Sequence, residues 1–177
     1  MEDSSLNPVS FYGLSKVYQT LLAKTYFLRE NVNVFVTRPF NIIGYGISNK
    51  LLVGRLISEI EQNITSRKKI ALGNLDSERD YIDIDDLLKA YELIMERGTP
   101  GEVYNIGSGK SIKMLDLLRI FLEVFNIDFK EVEQSKDLVR RFDVPKIVGD
   151  ISKLKELNWH PTISLKESVS KIKNQFL

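Results

Sequence analysis

A tyrosine and a lysine four positions apart, Tyr12 and Lys16, are the residues whose types and spacing best suit chemistry. Side chains at this spacing share one face of a helix, so the lysine ammonium can lie close to the tyrosine phenol. A nearby cation favours the phenolate over the phenol. A tyrosine in that setting can pass a proton to or from a carbonyl or alcohol oxygen while a cofactor transfers a hydride. The pair therefore predicts a proton-transfer centre.

Alternating helices and strands must position this pair. A helix is predicted over about 10–30 because Leu14, Val17, Leu21, Leu22 and Tyr26 form an apolar stripe at helical spacing. The β-branched and aromatic run over 32–36 predicts a buried strand after it. Further helices are predicted over about 50–63, 83–98, 111–125, 151–157 and 164–174, and strands over 70–72 and 103–106. This alternation predicts an α/β fold.

Further motifs follow the tyrosine in a fixed order. They are Arg38-Pro39-Phe40-Asn41, the runs 73–81 and 101–109, and the run 140–150. Together with Tyr12 and Lys16 they resemble the carboxyl-terminal part of an extended short-chain dehydrogenase/reductase of the NAD-dependent epimerase/dehydratase family, which modifies nucleotide sugars. Within that branch the motifs are most similar to the reductases of GDP-4-keto-6-deoxy-D-mannose. The GDP-mannose dehydratases are the next most similar.

The resemblance implies how the chain is organised. Residues 1–45 would form the last part of a Rossmann-type core, and residues 46–177 a small sugar-nucleotide domain with interleaved core elements. Nucleotide-binding α/β domains open with a glycine-rich turn that holds the cofactor pyrophosphate. No Gly-x-Gly-x-x-Gly motif occurs in the sequence. We therefore expect a fragment or truncated product that lacks the amino-terminal cofactor-binding half and is inactive alone.

The resemblance also implies roles for eight residues. Tyr12 would be the general acid or base, Lys16 would hold the cofactor ribose, and Pro39 would lie against the nicotinamide of NADP or NAD. The substrate-binding residues would be Asn41, Asn74 near the base, Arg79 and Arg140 on the diphosphate, and Asp143 on the nucleotide ribose. A guanidinium suits this task because it binds a diphosphate through two parallel hydrogen bonds. The alternative is surface ion pairing, of Arg79 with Asp80 or Asp83 and of Arg140 with Asp143.

The implied activity is reduction of a GDP-linked 4-keto-6-deoxy-hexose, with Tyr12 as proton donor. Nucleotide-sugar epimerases and 4,6-dehydratases use the same tyrosine and lysine, so these reactions stay open. A non-catalytic binding or interaction remnant is a third interpretation. The full-length family implies a homodimer, and a separate amino-terminal half could complement this chain.

Composition narrows the classes of function. A chain of 177 residues that is 43% hydrophobic and 28% charged can bury one sizeable core. A net charge of +1 gives no electrostatic reason to expect nucleic acid or an acidic membrane as partner. With no cysteine and one histidine, no metal site is expected. The sequence has neither a signal peptide nor a membrane span, so we expect the cytoplasm.

Two motifs imitate ligand loops. Gly109-Lys110-Ser111 follows a strand as a phosphate-binding loop would, but Tyr104 stands where the first glycine is required. A tight turn with a helix cap at Ser111 is predicted instead. The acidic run Asp80, Asp83, Asp85 and Asp86 lacks the glycine and the distal glutamate of a calcium loop. Helix capping is the predicted role of this run.

Overall fold

Helices and strands alternate along the chain in the computed structural model, which describes residues 1–135 and 144–176. The helices within those ranges are α1 (Phe11–Glu30), α2 (Leu52–Ser66), α3 (Ile84–Arg97), α4 (Met114–Phe125), α5 (Ser152–Glu156) and α6 (Leu165–Phe176). The strands are β1 (Val36–Pro39), β2 (Asn41–Ile43), β3 (Ile70–Leu72), β4 (Glu78–Asp83), β5 (Val103–Ile106), β6 (Ser111–Lys113), β7 (Val132–Gln134) and β8 (Lys146–Ile147). The predicted α/β fold is confirmed.

Parallel pairing dominates the strand topology. β1 pairs with β5, β2 with β4, and β3 with β7, all parallel. β4 also pairs with antiparallel β6 and with parallel β8, so it lies at the centre of its sheet. The chain passes from β1 to β2 at Phe40, whose amide still donates to the Ile106 carbonyl over 2.8 Å. The extended segment 36–43 thus pairs with β5 through its first half, β1, and with β4 through its second half, β2.

Two hydrophobic clusters support these strands. The first gathers α2, α4, α6 and β3, with fully buried Leu56, Ile60, Ile70, Leu117 and Phe121 among its members. The second gathers α3, α5 and β5, around Ala90, Ile94, Ile106 and Leu154. Their side chains come from the predicted amphipathic faces, because helices bury the stripe that repeats every three to four residues.

Helix α1 begins and ends close to the predicted bounds. Ser10 caps it by accepting a 3.0 Å hydrogen bond from the Gly13 amide, and Asn31 ends it in a left-handed conformation. Its predicted apolar stripe is not a core face, because no residue of α1 is buried. Only Gly13, Val17, Thr20, Ala23 and Phe27 are half-buried. Leu14, Tyr18, Leu21, Leu22 and Tyr26 remain exposed on the other side.

Several local predictions need correction. The strand predicted over 32–36 begins only at Val36 and is half-buried, because its ladder partner β5 begins at Val103. Ser111 does not cap α4; it lies in β6, and Lys113 precedes the helix. In α3, Asp83 is the cap and Gly98 the end, as predicted. No helix of the described residues is long and apolar enough to cross a membrane.

Candidate functional site

Two cavities are lined by residues of the β1–β2 segment. The Tyr12 cavity, of about 640 Å³, lies between residues 6–8, α1 and residues 35–39. The Arg79 cavity, of about 370 Å³, lies between β2, β4, the start of α2 and residues 72–75. Pro39 lines the first cavity, and Phe40 and Asn41 line the second. The linings of the two cavities are therefore adjacent in the chain at Pro39 and Phe40.

The Tyr12 cavity contains the predicted proton-transfer pair. Tyr12 and Lys16 both line it, one helical turn apart on α1, and the Tyr12 side chain is 73% exposed. Lys16 Nζ lies 5.4 Å from the centre of the Tyr12 ring. It also donates a 3.1 Å hydrogen bond to Gln19 Oε1, one turn further along. The ammonium thus lies beside the ring, as the spacing predicts.

Pro39 lines the same cavity, opposite the helix. It is the last residue of β1, and its neighbour Arg38 is held by a 3.0 Å hydrogen bond from Nη1 to the Glu2 carbonyl. The carboxyl ends of parallel strands are the usual place for ligands in open α/β sheets. All three residues predicted to contact the cofactor, Tyr12, Lys16 and Pro39, therefore surround one cavity.

The Arg79 cavity gathers three of the predicted substrate-binding residues. Asn41 Nδ2 donates a 2.9 Å hydrogen bond to the Asp80 carbonyl, which fixes the side chain between β2 and β4. Arg79 Nη1 donates to the Glu78 carbonyl over 2.7 Å. The Asn74 carboxamide oxygen accepts from the Asp76 amide over 3.0 Å, which stabilises the turn after β3. Asn41 and Asn74 are 33 positions apart in the sequence, and Asn74 and Arg79 are five apart. The fold places all three in the lining of one cavity.

Two basic residues of this cavity were not predicted from the sequence. Lys50 and Arg55 line it together with Arg79, and no carboxylate of the described residues is among its lining. The start of α2 also faces the cavity, through Leu51, Leu52 and Val53, and Leu51 makes no side-chain cap. Basic residues near a helix start were visible in the sequence, but such residues usually lie on solvated faces. The cavity is positively charged, and the helix start adds to this.

Tyr81 forms part of the wall of the Arg79 cavity rather than a second acid or base. It lies in β4 and is buried, and burial raises its pKa to about 12 although the Arg79 charge opposes this. Its phenol therefore stays protonated at neutral pH.

Outside this wall, Glu78 accepts a 2.7 Å hydrogen bond from Ser111 Oγ, and this bond, with Lys146 beside it, lowers the Glu78 pKa.

Two predicted substrate-binding residues, Arg140 and Asp143, lie outside the described residues. Within 1–135 and 144–176, no group of three histidine, cysteine or acidic side chains could hold a metal ion. The described part of the chain thus contains six of the predicted site residues. Tyr12, Lys16 and Pro39 line one cavity, and Asn41, Asn74 and Arg79 line the other.

The chain is similar to known proteins over nearly its whole length. The family model of GDP-mannose 4,6 dehydratase matches residues 1–172. The GDP-6-deoxy-D-mannose reductase of Pseudomonas aeruginosa is 28% identical over 170 residues, which are 94% of this chain and 55% of that protein. The chain thus spans about half the length of the curated relatives it matches.

Solved structures resemble the chain over nearly its whole length. A Pseudomonas aeruginosa protein, RMD, in complex with NADPH superposes with a TM-score of 0.91 and 26% identity, over 99% of this chain and 59% of the other. The dTDP-glucose 4,6-dehydratase of Bacillus anthracis in complex with NAD shares the fold, with a TM-score of 0.86 and 22% identity over 99% of this chain and 55% of the other.

Both solved relatives carry a nicotinamide dinucleotide, one NADPH and the other NAD. The Rossmann-like α/β fold, the motif order and the match over residues 1–172 agree with one another. The chain belongs to the GDP-mannose 4,6 dehydratase family of nucleotide-sugar reductases, dehydratases and epimerases.

Proposed function

We propose that this chain is the substrate-binding part of an NAD(P)-dependent reductase that acts on a GDP-linked 4-keto-6-deoxy-hexose. The observation that carries the proposal is a pair of cavities whose linings are adjacent in the chain, one lined by Pro39 and the other by Phe40 and Asn41. One holds the tyrosine–lysine pair and the other is lined by three cations. The Tyr12 cavity suits the hydride donor, and the Arg79 cavity suits an anionic sugar nucleotide.

Tyr12 is the proposed proton donor. When bound, a reduced nicotinamide supplies a hydride to the carbonyl carbon of the sugar, and the oxygen then requires a proton. The phenol of Tyr12 lines the cavity next to Pro39 and can deliver that proton. Lys16 lies beside the ring, where its charge favours the tyrosinate left behind. Lys16 and Pro39 are the residues that would hold the cofactor ribose and the nicotinamide.

The Arg79 cavity is the proposed sugar-nucleotide site. Three basic side chains and the start of a 15-residue helix surround it, and both features attract the diphosphate of such a ligand. Asn41 and Asn74 add amide groups that can bind the sugar and the base. Arg140 and Asp143 are proposed to complete the site from the 140–150 motif. The choice of GDP rests on that motif and on the named activity of the Pseudomonas aeruginosa relative.

The chain alone is proposed to be inactive. It has no glycine-rich turn for a cofactor pyrophosphate, and it spans about half the length of its relatives. The exposed side of α1, from Phe11 to Tyr26, offers a surface for a complementing amino-terminal half or for a second subunit of a homodimer. We propose a cytoplasmic setting for the assembled enzyme, because its cofactor and substrate are soluble nucleotides.

A nucleotide-sugar epimerase or 4,6-dehydratase would use the same pair and the same cavity, and is the second candidate. A remnant that binds sugar nucleotides without turnover is the third.

Calorimetric titration of the purified 177-residue chain with GDP, UDP and ATP tests the binding site. We expect GDP to bind most tightly, and equal binding of all three would overturn the assignment of GDP. Turnover is tested separately, by adding NADPH and GDP-4-keto-6-deoxy-mannose. We expect no oxidation of the cofactor by the chain alone. Steady oxidation that disappears in Tyr12→Phe would show that the chain is a complete enzyme.

A further inference from the structure

Asp80 is a fully buried carboxylate at the centre of β4, with 0% of its surface exposed. It accepts hydrogen bonds from the Ser108 amide at 2.7 Å and the Ser108 hydroxyl at 2.6 Å, both on Oδ1. It also accepts from the Gly109 and Gly149 amides at 3.0 Å each, both on Oδ2. The carboxylate thus joins β4 to the loop after β5 and to the segment after β8. A buried charge requires such partners, because desolvation is costly without them.

The glycine-rich run that imitates a phosphate loop is the counterpart of this carboxylate. A Cβ at Gly107 would lie 2.7 Å from Asp80 Oδ2, and Gly109 has a φ of +72°, so both positions favour glycine. Successive backbone amides in such a turn form a concave site for anions. Here the anion is a side chain of the protein itself. The loop lines neither the Tyr12 cavity nor the Arg79 cavity.

The same residue is connected to the wall of the Arg79 cavity. The Asp80 carbonyl accepts the 2.9 Å hydrogen bond from Asn41 Nδ2, and Arg79 is its neighbour in β4. A Cβ at Gly149 would lie 2.7 Å from Cε2 of Phe40, so the Phe40 ring packs directly on the glycine that Asp80 holds. Asn41, Arg79 and Phe40 all line the cavity. Asp80 does not line it.

We propose that Asp80 is a positioning residue of the sugar-nucleotide site. Its carboxylate fixes the segments after β5 and β8 against β4, and this fixes Asn41, Arg79 and Phe40 in the cavity wall. In Asp80→Asn, an amide donor would face amide donors of the loops, so one side of the network must open. The inference rests on the proposed function only in naming the ligand of the cavity.

Asp86 provides a matched control. It is also 0% exposed, and it accepts from the Thr162 amide at 2.7 Å, the Thr162 hydroxyl at 2.8 Å and the Ile163 amide at 2.8 Å. None of these three residues lines the Arg79 cavity. Asp86→Asn therefore removes a comparable network from the same region without touching the cavity wall.

The test compares nuclear magnetic resonance spectra of the 177-residue chain as wild type, Asp80→Asn and Asp86→Asn. In Asp80→Asn we expect faster exchange of the Gly109 and Gly149 amides and a shifted Asn41 side-chain amide signal. GDP affinity should fall about fivefold, the loss expected when the displaced cavity wall makes one hydrogen bond fewer to the ligand. Asp86→Asn should lower the unfolding temperature but leave these signals and the GDP affinity unchanged.

Two outcomes separate the inference from the proposed function. If wild type does not bind GDP, the assignment of the ligand fails, but the Asn41 signal and the exchange rates still test the positioning role. An Asn41 signal unchanged in Asp80→Asn, or shifted equally in Asp86→Asn, would overturn that role. If Asp80→Asn does not fold, Ser108→Ala removes only the hydroxyl donor and should produce a smaller change at the same signals. No change at those signals in Ser108→Ala would count against the role in the same way.

Discussion

Replacing Arg79 with alanine tests the charge of the sugar-nucleotide cavity. Arg79 lies in β4 between Ile112 of β6 and Ile147 of β8, and its side chain lines the cavity. One guanidinium donor binds the Glu78 carbonyl at 2.7 Å, which holds the group in place. A guanidinium has five N–H donors, so it can also bind a diphosphate.

The expected loss follows from one charge-assisted hydrogen bond. Such a bond contributes about 1.5 to 3 kcal/mol, which corresponds to an increase in Kd of about 13-fold to about 160-fold. Lys50 and Arg55 remain in the cavity of this variant, so binding of GDP should be weakened rather than abolished. The loss should depend on the phosphates of the ligand. GDP should lose most, GMP less, and guanosine should bind Arg79→Ala and wild type equally.

Calorimetric titration of both proteins with GDP, GMP and guanosine measures these differences. Arg119→Ala is the control, because Arg119 is exposed on α4, pairs with Asp116 at 3.0 Å and does not line the cavity. It should bind all three ligands as wild type does. Equal GDP affinity in Arg79→Ala and wild type would refute the reasoning, and so would an equal loss in Arg119→Ala. If Arg79→Ala lost as much affinity for guanosine as for GDP, Arg79 would contact the guanine base or support the folded structure rather than bind the phosphates.

Three further changes test other parts of the molecule. Asp86→Asn should lower the free energy of unfolding by about 1 to 3 kcal/mol at neutral pH. Burial raises the Asp86 pKa, but hydrogen bonds from Ile163 and Thr162 outweigh this and lower it. The ionised carboxylate therefore stabilises the wild-type protein fully at neutral pH. In denaturant unfolding, the difference in stability between Asp86→Asn and wild type should disappear as the pH falls below 3.8, the ordinary pKa of an aspartate. A difference that does not change with pH would contradict the stabilising role of the Asp86 carboxylate. Tyr12→Phe, assayed with the amino-terminal half of the Pseudomonas aeruginosa relative as complement, should lower kcat by about 10² to 10⁴ with little change in KM; an unchanged kcat would exclude Tyr12 as proton donor. Leu21→Lys with Leu22→Lys should reduce self-association in sedimentation, because both side chains are exposed on α1; a monomeric wild-type chain would contradict this.

The sequence alone was enough for the type and order of the α-helices, but it predicted only three of the eight strands of the described residues. Helices α1, α3 and α4 have apolar residues at helical spacing, and Ser10 and Asp83 are side-chain caps that act within three residues. Such features depend on near neighbours, so they can be seen without a fold. The motif order was also sufficient for the family, because it does not depend on geometry.

Burial and the shape of the site were decided by the tertiary structure. The stripe on α1 is apolar in the sequence, yet no residue of that helix is buried, because burial depends on what packs against a face. Lys50 and Arg55 line one cavity with Arg79 although they lie at least 24 positions from it in the sequence.

Asp80 shows the same limit most clearly. Its donors are 28, 29 and 69 residues away, whereas the sequence suggested helix capping or an ion pair with Arg79. Contacts at that separation depend on strand pairing across the whole fold, which neighbouring residues do not encode. The sequence therefore determined which chemical groups this protein has, and the pairing of β4 with β2, β6 and β8 decided which of them meet.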